Sequence, residues 1–294
     1  MLVDILSYIK CIICAGKLEL ECIKGDEDCI EGFLHCDCNA IYPIIDGVAI
    51  IVDDISKYFS SRSRVLGDIF VNSSESMKKY LRYHAKNIKK TSMDVYEEYS
   101  NLFKIYECKI EDNIKYLLSI NTDFYEKIVD TINVFTINNY LDIGCGTGYI
   151  VNNVSSNLAI GIDKSFSMIR RARKYKKKNR EFIVADLFAL PFKEFDLVSC
   201  INVIDLFDVD VVIQSIKKSI KKDGYLILVD PYDFRDAKGY PLPLYDERGI
   251  REILKIHGFK IENDKEEYIP WLLKINKRSY ILYFCDLIIA KLIK

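Results

Sequence analysis

Three glycines at alternate positions, Gly144, Gly146 and Gly148, close the apolar run Leu141-Asp142-Ile143 in this chain of 294 residues. Glycine enters left-handed backbone conformations without a Cβ penalty, so such a turn bends sharply and lets the backbone approach a ligand closely. At the carboxyl end of a strand this is the geometry of a nucleoside site. A dinucleotide fingerprint needs glycine at position 149, where Tyr149 stands, which counts against NAD and FAD. The chain has no Gly-x-x-x-x-Gly-Lys-Ser/Thr loop to cradle a triphosphate and no Gly-x-Ser-x-Gly nucleophile elbow. Its histidines, His35, His84 and His257, fall in unrelated contexts, and the last two read as surface or capping residues.

Elements that would position this turn follow in order. Ala159-Ile160-Gly161-Ile162-Asp163 is an apolar run ending in an acid about twenty residues after the glycines, where a carboxylate accepts hydrogen bonds from ribose hydroxyls. Asp163 is the expected ribose ligand; it also fits an N-cap before Ser165-Phe166-Ser167-Met168, and both roles can hold together. Phe182 to Leu187 carries a further acid, Asp186, ahead of Leu190-Pro191-Phe192. Phe195 to Asn202 and Gly224 to Asp230 read as the fourth and fifth strands. Between them, Val212, Ile213, Ile216 and Ile220 form a helical stripe over Val211 to Lys222, closed by Asp223-Gly224. Asp246 to His257 repeats the arrangement, with Ile250, Ile253 and Leu254 inward and Gly258 as a C-cap candidate. Strands alternating with helices predict a parallel, doubly wound sheet. The apolar stretch Tyr280 to Ala290 contains Asp286 and falls short of the roughly 20 residues of a spanning helix, so it is expected to be a strand.

The glycine turn resembles motif I of class I S-adenosylmethionine (SAM) dependent methyltransferases. The acid of the third strand followed by Leu-Pro-Phe is similar to the type-11 methyltransferase domain, and the likeness covers roughly residues 110 to 294. The resemblance implies an α/β, Rossmann-like, doubly wound and mostly parallel seven-stranded sheet with an antiparallel last strand, and SAM as cofactor. It implies a cofactor site of Asp142, Gly144, Cys145, Gly146, Gly148, Asp163, Lys164, Asp186, Leu187 and Cys200, with Asp186 at the adenine amino group. Methyl transfer from a sulfonium is an in-line displacement that needs positioning and exclusion of water more than a general base. Candidates around the reacting centre are Asn202, Asp205, Tyr232 and Asp233, after the fourth and fifth strands; Asn202 and Asp205 equally suit the start of a helix. Asp230-Pro231-Tyr232 lacks the second proline of the Asp/Asn-Pro-Pro-Tyr motif and follows the fifth strand rather than the fourth, so that motif's substrate is not carried over.

Cys11-Ile12-Ile13-Cys14 and Cys36-Asp37-Cys38 are two close pairs separated by one loop, a spacing that suits a tetrahedral zinc site. Residues 1 to 53 resemble the small zinc-ribbon subunit that activates several tRNA, ribosomal RNA and release-factor methyltransferases. The family's second pair is usually Cys-x-x-Cys, so either Cys36 ligates with a tightened loop or His35 joins Cys38. Zinc in such a module is structural, and a ribbon of this kind can also keep its fold without metal. Cys22 and Cys29 are expected to be structural thiols there, and Cys108, Cys145, Cys200 and Cys285 small buried or site-lining residues.

With 42 basic and 43 acidic groups the chain has no whole-protein field to draw in a polyanion. A local basic run, Arg170 to Arg180, is either a track for an RNA backbone or the solvated face of a surface helix. The expected organisation is a zinc-ribbon-like module at 1–54, a helical connector or lid at 55–109 and a methyltransferase domain at 110–294. In the connector Tyr80, Tyr83, Tyr96, Tyr99, Phe103 and Tyr106 recur at helical spacing, to lid the cofactor or to pack the two modules. The start of the chain carries no charged leader, which predicts a cytoplasmic protein without a membrane span. The ribbon points to an RNA or another macromolecular acceptor, with RNA or a translation protein as partner. Leu-Pro-Phe points instead to a small or lipid-like molecule, and a SAM-binding scaffold without turnover is a third expectation.

Overall fold

The computed structural model describes residues 1, 3–60, 62–86, 124–192, 194–233, 245–263, 267–276 and 278–293. Tyr96, Tyr99, Phe103, Tyr106 and Cys108 lie outside the described residues. The first cysteine pair leads into an antiparallel meander of β1 (Glu19–Lys24), β2 (Glu31–His35), β3 (Ile41–Ile45) and β4 (Val48–Ile51). Asp46 and Gly47 join the last two strands with φ of 50 and 76°, the two left-handed positions a tight hairpin turn requires. Helices α1 (Ile55–Ser60), α2 (Ser63–Asn72), α3 (Glu75–Ala85) and α4 (Phe124–Asn133) come next. The alternating part runs β5 (Ile137–Ile143), α5 (Tyr149–Asn153), β6 (Ser156–Asp163), α6 (Phe166–Lys174), β7 (Arg180–Ala185) and β8 (Phe195–Ile201). It continues through α7 (Val209–Lys217), β9 (Ile220–Asp230), α8 (Glu247–Ile256), β10 (Phe259–Ile261), β11 (Glu267–Asn276) and β12 (Ser279–Leu292).

The strands lie in the order β1-β2-β3-β4-β7-β6-β5-β8-β9-β12-β10, with β11 added on β12. From β7 to β9 neighbours are parallel, and β12 runs antiparallel to β9, as expected of the last strand. Order reverses at β5, which has β6 on one side and β8 on the other, so a crevice opens at the carboxyl ends of these strands.

Two features exceed the seven strands expected. The cysteine meander is continuous with the large sheet, because β4 pairs in parallel with β7 through Ile50↔Val184 and Ile51↔Ala185. All four residues of β4 are buried; covered on both faces, a strand reads as an unbroken apolar run, Val48-Ala49-Ile50-Ile51. β11 is the other addition, and its Pro270 suits an edge strand that gives up one donor. The helix expected over Val211 to Lys222 is shorter: α7 starts one residue after Asp208, whose carboxylate accepts from the amides of Asp210 and Val211, and stops at Lys217. Ile220, counted as the last residue of the helical stripe, is buried instead by strand pairing with Phe195.

The basic run is divided between tasks. Arg173, 8% exposed, forks between Glu181 of β7 at 2.8 Å and Asp28 of the cysteine meander at 2.6 Å. Lys176 reaches the same two acids, and Arg170 pairs with Asp46. Arg180 turns inward and donates to the carbonyls of Ser156 and Val154. Much of this run therefore fastens the meander to the sheet. Among the described residues no helix is long and apolar enough to cross a membrane.

Candidate cofactor site and cysteine cluster

At the mouth of the sheet the glycine turn has its three glycines at positive φ. A Cβ on Gly148 would sit 2.4 Å from the Phe182 ring, so that glycine serves packing. A Cβ on Gly146, at φ +52°, would meet nothing within 4 Å. Gly146 is thus the position whose bare backbone faces open space, as close approach of a ligand requires. Its amide donates to Asp163 Oδ2 at 3.1 Å, while Asp163 Oδ1 accepts from the Ser165 amide at 2.8 Å. The N-cap of α6 is Ser165, whose hydroxyl accepts from Met168. Asp163 ties the glycine turn to the start of α6, and the Cys145 amide adds a bond to the Ile162 carbonyl at 2.8 Å.

One strand further, Asp186 accepts from Lys164 Nζ at 2.8 Å and from the Phe188 amide at 3.0 Å. The Lys164 carbonyl in turn accepts from the Tyr58 hydroxyl at 3.0 Å and from Arg62 at 3.3 Å, so the α1 region laps over the tip of β6. Nothing in the spacing of Tyr58 and Arg62 pointed to this. Leu187 and Cys200 are buried in the core beneath the crevice rather than at its surface, and burial pushes the Cys200 thiol well up.

Asp142, 2% exposed, accepts from Ser199 Oγ at 2.6 Å, and Ser199 is linked to the Tyr140 hydroxyl. Burial pushes the Asp142 carboxyl up to about 7, against the Ser199 hydrogen bond. Asp205, 7% exposed, is also raised to about 7, by burial and by the neighbouring Asp233 charge. Asp230, buried at the end of β9, is raised well above the ordinary carboxylate range by burial and Asp205, although the amides of Val203, Ile204 and Tyr232 donate to it. Asn202, at φ +54°, sits beside this group and faces Cys285. Tyr232 donates its hydroxyl to Asp286 at 2.7 Å, an acid that Arg251 of α8 clamps with both guanidinium nitrogens at 2.6 and 2.9 Å. The structure therefore brings Asn202, Asp205 and Asp233 together and commits the Tyr232 hydroxyl to Asp286. Asp230 joins them without having been singled out as a ligand; Asp286, a lone acid in an apolar strand, was a legible signal. Asp163 and Asp186 stand at neighbouring strand tips as acceptors for a nucleoside, while Asp142, Asp205 and Asp230 lie buried beside them with raised carboxyls that supply hydrogen-bonding groups rather than a fixed negative field.

At the other end of the chain the sulfurs of Cys11, Cys14, Cys36 and Cys38 all lie within 4.8 Å of one another. Cys11 and Cys38 are 3.6 Å apart and Cys14 and Cys36 3.4 Å, close to the roughly 3.8 Å edge of a tetrahedron with Zn–S bonds of about 2.3 Å. Four thiolates complete that coordination, so the cluster could bind zinc and leave no open position. His35 is not in the group: its Nε2 lies 2.7 Å from Glu21. Burial opposes ionisation of Cys11, but hydrogen bonds from Tyr42, backbone amides and Cys38 bring its thiol down to about 6. The cluster is held by Leu-Pro-Phe, since Ile9 forms a bridge with Phe192 and the Lys10 amide donates to the Pro191 carbonyl at 2.8 Å.

Residues 138–269 match the family described as a methyltransferase domain. Together with the strand order and the glycine-lined mouth, this marks that part of the chain as a methyltransferase domain of doubly wound fold. Among curated proteins, the uncharacterized protein MJ0638 of Methanocaldococcus jannaschii is 33% identical over 147 residues, 46% of this chain and 61% of its own length. The uncharacterized protein MJ1252 of the same organism is 30% identical over 187 residues, 62% of this chain and 64% of its own length. The chain thus spans less than two thirds of these relatives. Among solved structures, a chain from the complex of the Haloferax volcanii Trm112 methyltransferase activator with a methyltransferase superposes with a TM-score of 0.51 at 14% identity, covering 69% of this chain and 99% of that one. At that identity the likeness speaks for the fold alone.

Proposed function

We propose that the chain is a SAM-dependent methyltransferase acting on RNA, with its cysteine module built in as a stabilising subunit. The observation that carries the cofactor half is the juxtaposition at the switch point: Gly146 with open space before it, Asp163 receiving its amide, and Asp186 at the tip of the next strand. Bound there, SAM supplies an electrophilic methyl group on a sulfonium. Asp163 and Asp186 orient the nucleoside, and Asn202, Asp205 and Asp233 line the approach of the acceptor. With a raised carboxyl, Asp205 is poised to take a proton from an N–H or O–H acceptor near neutral pH.

The macromolecular half has separate support. A Trm112 activator accompanies the methyltransferase in the Haloferax complex. In this chain the sheet edge at β7 is occupied by the chain's own cysteine module, and Leu190-Pro191-Phe192, the segment that favoured a small acceptor, is spent on holding that module. Incubation of the full chain with methyl-labelled SAM and cell extract, followed by separate counting of RNA, protein and organic phases, tests the assignment. Label in RNA is expected. Label confined to the organic phase identifies a small or lipid-like acceptor, and none in any phase despite SAM binding identifies a scaffold.

A further inference from the structure

β12 parts from β9 at the pair Asp286↔Asp230, at the carboxyl edge of the sheet. Residues 279–285 run on past that edge, paired with β11. At about 3.4 Å per residue the hairpin stands on the order of 20 Å above the mouth, beside the acids that line the acceptor side. Trp271 and Tyr283 face each other in register, and their rings stack at 5.5 Å and 27°. Trp271 stacks in turn on Phe124 of α4 at 5.7 Å and 28°. The next residue of that helix, Tyr125, is half-buried, and burial together with Asp142 and Cys285 pushes its phenol up to about 12. Its ring lies 5.7 Å from Tyr149, the residue that follows the glycine turn. The Tyr283 hydroxyl reaches Asp233 at 3.4 Å.

Packing of the hairpin on α4 accounts for Phe124 and Trp271. It does not account for phenols from three separate elements, Tyr125, Tyr149 and Tyr283, each still partly accessible, gathered around the cofactor turn and the acceptor acids. We propose that this wall receives the acceptor as an unpaired nucleobase, its ring laid against Tyr125 and Tyr283 and its amino edge turned to Asp233 and Asp205. The assignment rests on the RNA methyltransferase reading given above. Every base offers a π-face to aromatic side chains, and carboxylates accept from exocyclic amines of bases. An acyl chain would instead strip water from phenols and carboxylates and give no hydrogen bond in return.

Trp271 is the single tryptophan of the chain, so its emission reports on the wall. Titration of the full chain with nucleosides and with short single-stranded RNA should give saturable quenching. Tyr283→Leu and Tyr125→Leu should each weaken RNA binding roughly 5-fold or more, the range of one lost base stack, while Tyr283→Phe retains it. SAM affinity of Tyr283→Leu, measured by calorimetry, should match the wild type. Unchanged emission with every nucleoside and RNA, while SAM still binds, overturns the nucleobase proposal and leaves the methyltransferase reading standing. Failure of the wild type to bind SAM removes both. Should the leucine variants not fold, wild-type quenching and the Tyr283→Phe comparison decide the matter.

Discussion

Gly146 and Gly148 share a left-handed backbone and differ in what lies before them, which separates cofactor binding from folding at the scale of one residue. Forcing alanine into that region costs about 1–2 kcal/mol. Gly148→Ala adds a collision with Phe182 and is expected to lower the unfolding midpoint clearly. Gly146→Ala should cost only the backbone term yet lose most SAM affinity; thermal unfolding and calorimetry on the two variants give the comparison. The raised carboxyl of Asp205 makes a second prediction. Its folded pKa lies above the ordinary carboxylate value, so its contribution to stability is present at low pH and lost as pH rises through about 7. Asp205→Asn should therefore raise the unfolding midpoint at pH 8 and change it little below about pH 4, where the unfolded carboxyl is protonated as well. The glycines, Asp163 and Asp186 were legible because a tight turn and a strand-end acid leave marks in the sequence. Tyr58 and Arg62 were not, since their contacts with Lys164 are made across more than a hundred residues of chain.

Among the elements, the parallel strands and the antiparallel β12 were read from apolar runs and their terminal acids. The end of α7 was misplaced because Ile220 satisfies a helical stripe and a strand equally well, and only its pairing with Phe195 decides. The junction of β4 with β7 was hidden for a related reason: a run such as Val48 to Ile51 shows that a strand is buried, and not by what. Ionic contacts reinforce that junction. Arg173→Ala would take one ion pair from fully buried Glu181 while Lys176 still reaches it, and breaking such a pair typically costs about 3–5 kcal/mol. The loss should lie toward the lower end because Lys176 stays, and chemical denaturation measures it; a change within error would show that the meander is not held by these charges.

For the molecule as a whole, the cysteine cluster, the Leu-Pro-Phe segment and the cofactor strands form one continuous sheet and core. Zinc analysis of the purified chain should find one equivalent, and a strong chelator or Cys11→Ser should lower the unfolding midpoint of the whole chain rather than release the module alone. The sequence placed the cofactor half and the cysteine half separately, because each has its own local pattern. Their union depends on long-range strand pairing that leaves no such pattern. The central claim is that a sulfonium nucleoside lies across the mouth at the switch point, pinned by Asp163. Calorimetric titration with SAM tests it most directly: the wild type should bind one equivalent and Asp163→Ala should bind at least tenfold more weakly, the loss of about 1.4 kcal/mol or more that follows from removing a charged hydrogen-bond acceptor. Equal affinity in the two proteins would contradict it.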